Sequence, residues 1–409
     1  MKRIVFGQLV TMAEGPDGTL VENGELMVDD GRIVEVRSNR SDAFAGETVD
    51  LSGHLLLPGF VNAHCHLSLT GLAGKIAPGL PFVDWIRQVV QANEALPFTG
   101  RLRALREGAQ ALSASGVTSL VDYVAHTGLI HEYAGLPLRS LLLYEVIGFS
   151  PARAGEITSM LDDLLKNHPK GNASLKLGLA AHAPYSVSPA LLQNLKVLAA
   201  KYRCPLSCHV SEVPEEVAFL RQGNGPFRQL LEERKAWNPD WAPPGVSPVA
   251  YLSQLGVLEG VQAVHLNCVE MPDILPLAGE AMGAVFCPGS TRWFGRNRWM
   301  PVRELLDAGL AVGLGTDSVA SNESLDFMRE IRLAGAMLPE VSRAEILWMA
   351  TAGGALASGL EAGRIVPGGM ADVIAFKRTN VKSPWWDTVW DHPGSGPDAV
   401  MLKGEWVVE

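Results

Sequence analysis

The sequence predicts an α/β fold: a (β/α)8, TIM-like barrel carrying a small β-sandwich domain formed by the N- and C-terminal segments. Three observations lead there. Short apolar runs alternate with amphipathic helical stretches through the middle of the chain; both ends are rich in short alternating runs; and 47% of the 409 residues are hydrophobic against 19% charged. Strand–helix alternation means parallel strands joined by helical crossovers, and the composition supplies apolar surface for a large core.

The N-terminal runs IVFGQLV, ELMVDD and RIVEVRS, parted by turn signals such as Asp30-Gly31, read as antiparallel strands. At the other end ADVIAFK and VMLKGEWVVE follow the glycine-rich turn at Pro367 to Gly369. Because chain ends often lie close together, residues 1–57 and 364–409 are expected to build one small β-domain around a barrel of residues 58–363. Eight apolar runs fill that middle: LLLPGFV, VTSLVDY, RSLLLYEVIG, LKLGLAAHA, PLSCHVSE, VQAVHLNC, GAVFCPGS and AVGLGTD. Between them FVDWIRQVV, LRALREGAQAL, ALLQNLKVLAA, EEVAFLRQ and VRELLDA carry apolar residues at helical spacing. Eight units favour a closed barrel over an open sheet, and no GxGxxG follows any run. The proline-rich stretch Asn238 to Pro248 reads as an inserted loop.

Composition also narrows the partners. The net charge is −10, and no basic stripe collects the Lys and Arg that phosphate neutralisation needs, so nucleic acid is excluded as a partner. Five scattered cysteines, an odd number, argue against a disulfide framework and for a reducing, cytoplasmic compartment. No apolar run reaches the length of a membrane span, and the opening MKRIVFGQLVTMAEG is broken by Gly7, Gln8 and Glu14 before it forms a signal core. A small-molecule substrate and a homodimer are the expected partners.

The chemistry gathers at the ends of the runs. Of ten histidines, His64, His66, His182, His209 and His265 lie at or just past the C-terminal ends of apolar runs, and Asp317 ends the eighth. In a barrel that rim brings residues distant in sequence to one mouth. His64-Cys65-His66 alone is weak, since HxH arises by chance in about one chain in four of this histidine content. Strand alternation strengthens it, pointing both imidazoles one way and Cys65 the other, as it turns Cys208 away from His209. His209 can add a third nitrogen and Asp317 an oxygen, a set that leaves open positions and is catalytic in kind. Lys176 sits at the wrong end of its run to bridge two metals, so one ion is expected.

PGFVNAHCH, HAPYSVSP, CHVSEVPEEV, SPVAYLSQLGVL, MPVRELLDAGLAVGLGTDSVASNESLD and AGRIVPGGMADVIAF together resemble the amidohydrolase superfamily, in its mononuclear-metal aminohydrolase group. The resemblance runs through nearly the whole chain. It implies a barrel with a small β-domain, and His64, His66, His209 and Asp317 as ligands of one divalent ion, Zn²⁺ with Fe²⁺ as the alternative. It also implies catalytic roles for Glu212, His265 and Asp317. Those roles have a physical basis: displacing an amine from an aromatic ring needs a nucleophilic water, a proton on the ring nitrogen and a proton for the departing ammonia. A bound divalent ion lowers the pKa of water to about 7. Glu212 can then carry protons, while His265 and Asp317 orient the water. HExxH is absent, as is the HxE…PCxxC pattern of nucleobase deaminases.

Within the group, HAPYSVSP resembles the deaminases of adenosyl compounds and aminofutalosine, implying that His182 contacts a purine. DWIRQVVQANE resembles the segment bearing a ribose-binding acid, implying Glu94 with Trp85 beside it. Arginines clamp carboxylates well, and Arg153 after the third run and Arg292 after the seventh, near Arg296 and Arg298, are the candidates. Relatives often show CPxSN after the seventh strand, whereas this chain has CPGSTRWFGRN, so Thr291 to Phe294 are expected to line the mouth. The expected activity is deamination of an adenine-containing nucleoside. 6-Amino-6-deoxyfutalosine, a compound of menaquinone biosynthesis, leads, because Trp293 and Phe294 suit a carboxyphenyl group. S-Adenosylhomocysteine or methylthioadenosine is the alternative, and triazine or formimino compounds use the same metal site. A catalytically silent assembly protein is disfavoured, because the ligand set and Glu212 are all present.

Overall fold

The computed structural model describes residues 1–40, 44–167, 175–380 and 382–408. The N-terminal strands are β1 (Lys2–Val10), β2 (Leu20–Glu22), β3 (Glu25–Asp29), β4 (Arg32–Arg37) and β5 (Glu47–Pro58). The middle supplies β6 (Phe60–Cys65), β7 (Val117–Val124), β8 (Arg139–Val146), β9 (Leu175–Ala181), β10 (Leu206–Val210), β11 (Val261–His265), β12 (Gly283–Phe286) and β13 (Val312–Leu314). β14 (Val373–Lys377), β15 (Ala399–Leu402) and β16 (Glu405–Val408) complete the chain.

β6 to β13 pair in sequence order, each parallel to the next, which is the order of a barrel. The ring closes where the first strand meets the last. Cys65 bridges Asp317 in parallel, and the Asp317 amide donates to the His64 carbonyl at 3.1 Å. One layer below, Asn62 Nδ2 donates to Thr316 Oγ1 at 2.8 Å and its Oδ1 accepts from the Thr316 amide at 3.1 Å. Period-two alternation divides the core: Val121, Tyr123, Leu141 and Leu143 fill the barrel, while Leu120 and Leu142 face the helices.

The five helical stretches expected from the sequence all form helices, and others, among them Ala154–Asn167 and Pro226–Glu233, form outside those stretches. α1 (Phe82–Glu94) and α2 (Phe98–Ala114) follow β6; α3 (Ala154–Asn167) and α4 (Pro189–Tyr202) follow β8 and β9; α5 (Pro214–Gln222) and α6 (Pro226–Glu233) follow β10. Ser188 caps α4, accepting from the Leu191 amide at 3.3 Å, with Pro189 at the first helical position. The stretch 238–247 is a loop, and its Trp241 stacks on Phe219 with centroids 4.8 Å apart. Among the described residues no helix is long and apolar enough to cross a membrane.

β1–β5 and β14–β16 form a single eight-stranded mixed sheet, in which β1 pairs parallel to β5 and the other pairings are antiparallel. Ile4, Phe6, Leu26 and Ile33 from one end of the chain share its core with Val373 and Met401 from the other. One expected strand divides differently. LLLP closes β5 of this sheet, and the first barrel strand begins only at Phe60. Gly59 is the hinge, because a Cβ there would lie 2.1 Å from Thr118 Oγ1.

Candidate active site

His64 is the last residue but one of β6, and His66 lies just beyond the strand. The pairing of β6 with β7 is irregular between Asn62 and Cys65, so Ala63 joins the inner core and Cys65 the outer one. Cys65 and Cys208 both face outward, Cys208 by regular alternation in β10 and Cys65 past the irregularity in β6. At the rim His64 Nε2 is 3.3 Å from His209 Nε2 and 3.6 Å from Asp317 Oδ1, and His66 Nε2 is 3.7 Å from the same oxygen. Donors bound tetrahedrally to a zinc-like ion at about 2.05 Å would be about 3.3–3.4 Å apart, so the spacing fits a small divalent cation.

The protonation chemistry fits as well. His209 Nδ1 donates to the His182 carbonyl at 2.7 Å, which leaves the Nε2 lone pair for the centre. Burial, reinforced by the other imidazoles, pushes His66 down to about 3 and His209 well below its ordinary value, keeping both neutral, the form that ligates metals. Burial opposes ionisation of Asp317, but His64, His265 and His66 outweigh it and hold the carboxyl well below its usual range. The Ser318 amide and the Ser321 hydroxyl each donate to this carboxylate at 2.8 Å.

Glu212 stands beside this pocket, 3.7 Å from His265 Nε2 through Oε2 and 2.8 Å from Arg296 Nη2 through Oε1. Burial raises its pKa to about 7, against the pull of Arg296. Its backbone is fixed by Glu216, whose carboxylate accepts from the Glu212 amide at 2.8 Å and the Ser211 amide at 3.0 Å. Above these groups opens a cavity of about 550 Å³, lined by His66, His182, His209, Glu212, His265 and Asp317 at its floor. His182 projects into it with Nδ1 held 2.7 Å from Ser186 Oγ.

The remaining expected contacts divide. Trp85 lines the cavity, its Nε1 donating to the Ala320 carbonyl at 2.7 Å, and Arg153 lines the outer end. Glu94 does not line it: the last residue of α1 is 72% exposed and turned 3.9 Å from Arg234. Its neighbour Asn93, gripped by Arg101, takes the cavity side of that helix end. Arg292 is exposed and away from the cavity, and none of Thr291 to Phe294 lines it; Thr291 points into the core, with its hydroxyl on the Cys287 carbonyl at 3.0 Å.

Sequence reasoning missed Glu145. Its carboxylate lies 4.0 Å from His66 Nδ1 and 3.9 Å from His182 Nε2, and burial raises its pKa to about 8. The signal was available, because Glu145 shares the inward parity of Leu141 and Leu143 at the end of β8. Glu216 carried none, being one glutamate among several in EVPEEV.

Comparison with known proteins agrees with this geometry. A 5′-deoxyadenosine deaminase of Methanothermobacter thermautotrophicus is 30% identical over 97% of this chain and 92% of its own length. A 5-methylthioadenosine/S-adenosylhomocysteine deaminase of Pyrococcus furiosus is 31% identical over 96% of this chain and 92% of its own. Two solved structures share the fold. The Helicobacter pylori aminofutalosine deaminase in complex with methylthio-coformycin superposes with a TM-score of 0.86 at 22% identity, covering 100% of both chains. Zinc-complexed atrazine chlorohydrolase of Arthrobacter aurescens gives 0.86 at 19%, covering 100% of this chain and 95% of its own. The sequence pattern of the amidohydrolase family matches residues 55–407, from the end of β5 to the last strand. A match of that extent, on a barrel with this rim, makes the chain a member of the amidohydrolase family and a hydrolytic enzyme.

Proposed function

We propose that this protein is a metal-dependent hydrolytic deaminase of an adenine-containing nucleoside, exchanging the exocyclic amine for oxygen and releasing ammonia. The observation that carries the reading is that His66, His209 and Asp317 line the floor of one cavity with Glu212 and His265, with His64 beside them at 3.3 Å from His209 and 3.6 Å from Asp317. The deaminases of deoxyadenosine and methylthioadenosine type that match almost end to end support it.

In this reading His64, His66, His209 and Asp317 hold one divalent ion, Zn²⁺ before Fe²⁺. When bound, the ion supplies the Lewis acidity that makes water a nucleophile near neutral pH. Glu212 takes one proton from the attacking water and gives it to the ring nitrogen, then takes the second from the added hydroxyl and gives it to the departing amine, its pKa near 7 suiting both directions. His265 and Asp317 orient the water. His182 meets the purine ring, and Trp85 packs beside the sugar.

The substrate we favour is 6-amino-6-deoxyfutalosine, a nucleoside of menaquinone biosynthesis. Supporting it is the outer part of the cavity, where Phe82, Ile147, Phe149 and Leu230 lead out to Arg153, Arg234 and Lys235, surroundings suited to an aryl carboxylate. The second reading, S-adenosylhomocysteine or methylthioadenosine, is favoured by the matched Pyrococcus enzyme. The test is ammonia release and the adenine-to-hypoxanthine absorbance change on zinc-loaded protein across these three nucleosides and adenosine. A kcat/KM above about 10⁴ M⁻¹s⁻¹ on one of them is expected. Zinc-loaded protein inactive on all four overturns the reading.

A further inference from the structure

The segment after β12, CPGSTRWFGRN, delivers Arg296 to the back of Glu212. The guanidinium lies 4.5 Å from the Phe294 ring centroid and 5.8 Å from that of Phe82, and the side chain is 11% exposed. Its backbone is tied in by the Arg296 amide donating to the Thr291 carbonyl at 3.1 Å. Nη2 donates to Glu212 Oε1 at 2.8 Å, while Nη1 is buried without a hydrogen-bond partner among the described residues. Of the residues that line the cavity, Glu212 is the one Arg296 hydrogen-bonds, and Phe82 is the one whose ring its guanidinium faces.

Glu216 and Asn267 fix the backbone of Glu212, the latter donating to its carbonyl at 3.3 Å. A glutamate pinned only at its backbone keeps its side-chain torsions free, and a proton carrier displaced by about 1 Å loses much of its effect. We propose that Arg296 is the positioning residue for Glu212, fixing one carboxylate oxygen so that the other faces His265 and the cavity. The aromatic rings hold the cation in place, and the charge-assisted bond sets the carboxylate's rotation. The proposal rests on the reading of Glu212 as the proton carrier.

The test is a double-mutant cycle on zinc-loaded protein. Arg296→Met should retain zinc and lower kcat about 10- to 100-fold with KM changed by about twofold or less, and Arg296→Lys should recover most of the loss. In a Glu212→Ala background the same substitution should cost nothing further, because the group it positions is gone. Wild-type kcat in Arg296→Met, or an equal loss in both backgrounds, overturns the proposal. If wild type deaminates none of the nucleosides, the functional reading fails, and the pair is still read from melting temperatures. Non-additive effects of Arg296→Met and Glu212→Ala then support the coupling, and additive effects overturn it.

Discussion

The floor and the outer end of the cavity are built by different means. At the floor, non-glycine residues accept left-handed backbone: Ser211 and Leu266 at φ 51°, Asp317 at 56° and His265 at 75°. Each is buried, and hydrogen bonds hold this backbone, such as the Ser211 amide donating to the Glu216 carboxylate and Ser318 and Ser321 donating to Asp317. At the outer end helical and loop residues present apolar side chains and long cations, with Arg153 63% and Arg234 48% exposed. Left-handed backbone held by hydrogen bonds marks the end where geometry is fixed in advance, whereas the outer end presents exposed cations.

Substitutions can break this contrast. The largest effects belong to the floor: His64→Ala or Asp317→Ala should abolish metal retention and lower kcat/KM by about 10³-fold or more, checked by metal analysis beside the assay. Glu212→Gln should keep the metal and lose about 10²- to 10⁴-fold in kcat. A Glu212→Gln enzyme with normal turnover would remove the carboxylate from proton transfer. At the outer end Arg153→Ala should raise KM about tenfold for a carboxylate-bearing nucleoside and leave adenosine unaffected. Equal effects on both would place the charge outside recognition.

Smaller changes sharpen the contrast. In metal-free protein Glu145 and Glu216 are raised by burial to about 8 from an ordinary 4.5, so the folded state holds protons that the unfolded state has released. Stability should therefore fall as pH rises from about 4.5 to about 8 on their account. Depressed His66 and His182 give the opposite slope, which ends at 6.5. The decline should thus appear cleanly between 6.5 and 8 in melting temperatures, and a rise there would contradict the burial of these carboxyls. Smallest of all, Glu94→Ala should shift KM by about twofold or less, as for an exposed charge in a loose ion pair.

The floor was legible in the sequence because two strong regularities meet there. Period-two alternation orients residues such as His209 and turns Cys208 away, and parallel barrels gather strand ends at one rim. Even so, the irregular pairing in β6 lies outside any alternation rule. The outer end was less legible because its residues sit at helix ends and in loops, where direction depends on tertiary neighbours. Glu94 falls outward while Arg101 grips the adjacent Asn93, and Arg292 occupies the exposed side of a six-residue helix. Arginine near a strand end recurs at too many positions for spacing to choose Arg296 over Arg292 or Arg298.

The shared sheet also has a consequence for the order in which the molecule is made. Val373 pairs with Pro58, Lys2 Nζ donates to the Gly404 carbonyl at 3.0 Å, and the first barrel strand meets the last at Cys65 and Asp317. Both closures join residues far apart in the chain: Cys65 with Asp317 in the barrel, and Pro58 with Val373 in the sheet. A ribosome therefore releases β1 to β5, which pair among themselves, long before β14 exists to cover the β5 edge, and the barrel cannot close until Asp317 has been made. Contacts of such separation form slowly, so the early strands, rich in apolar residues such as Ile4, Phe6 and Leu9, are the part of the nascent chain most exposed to misassociation.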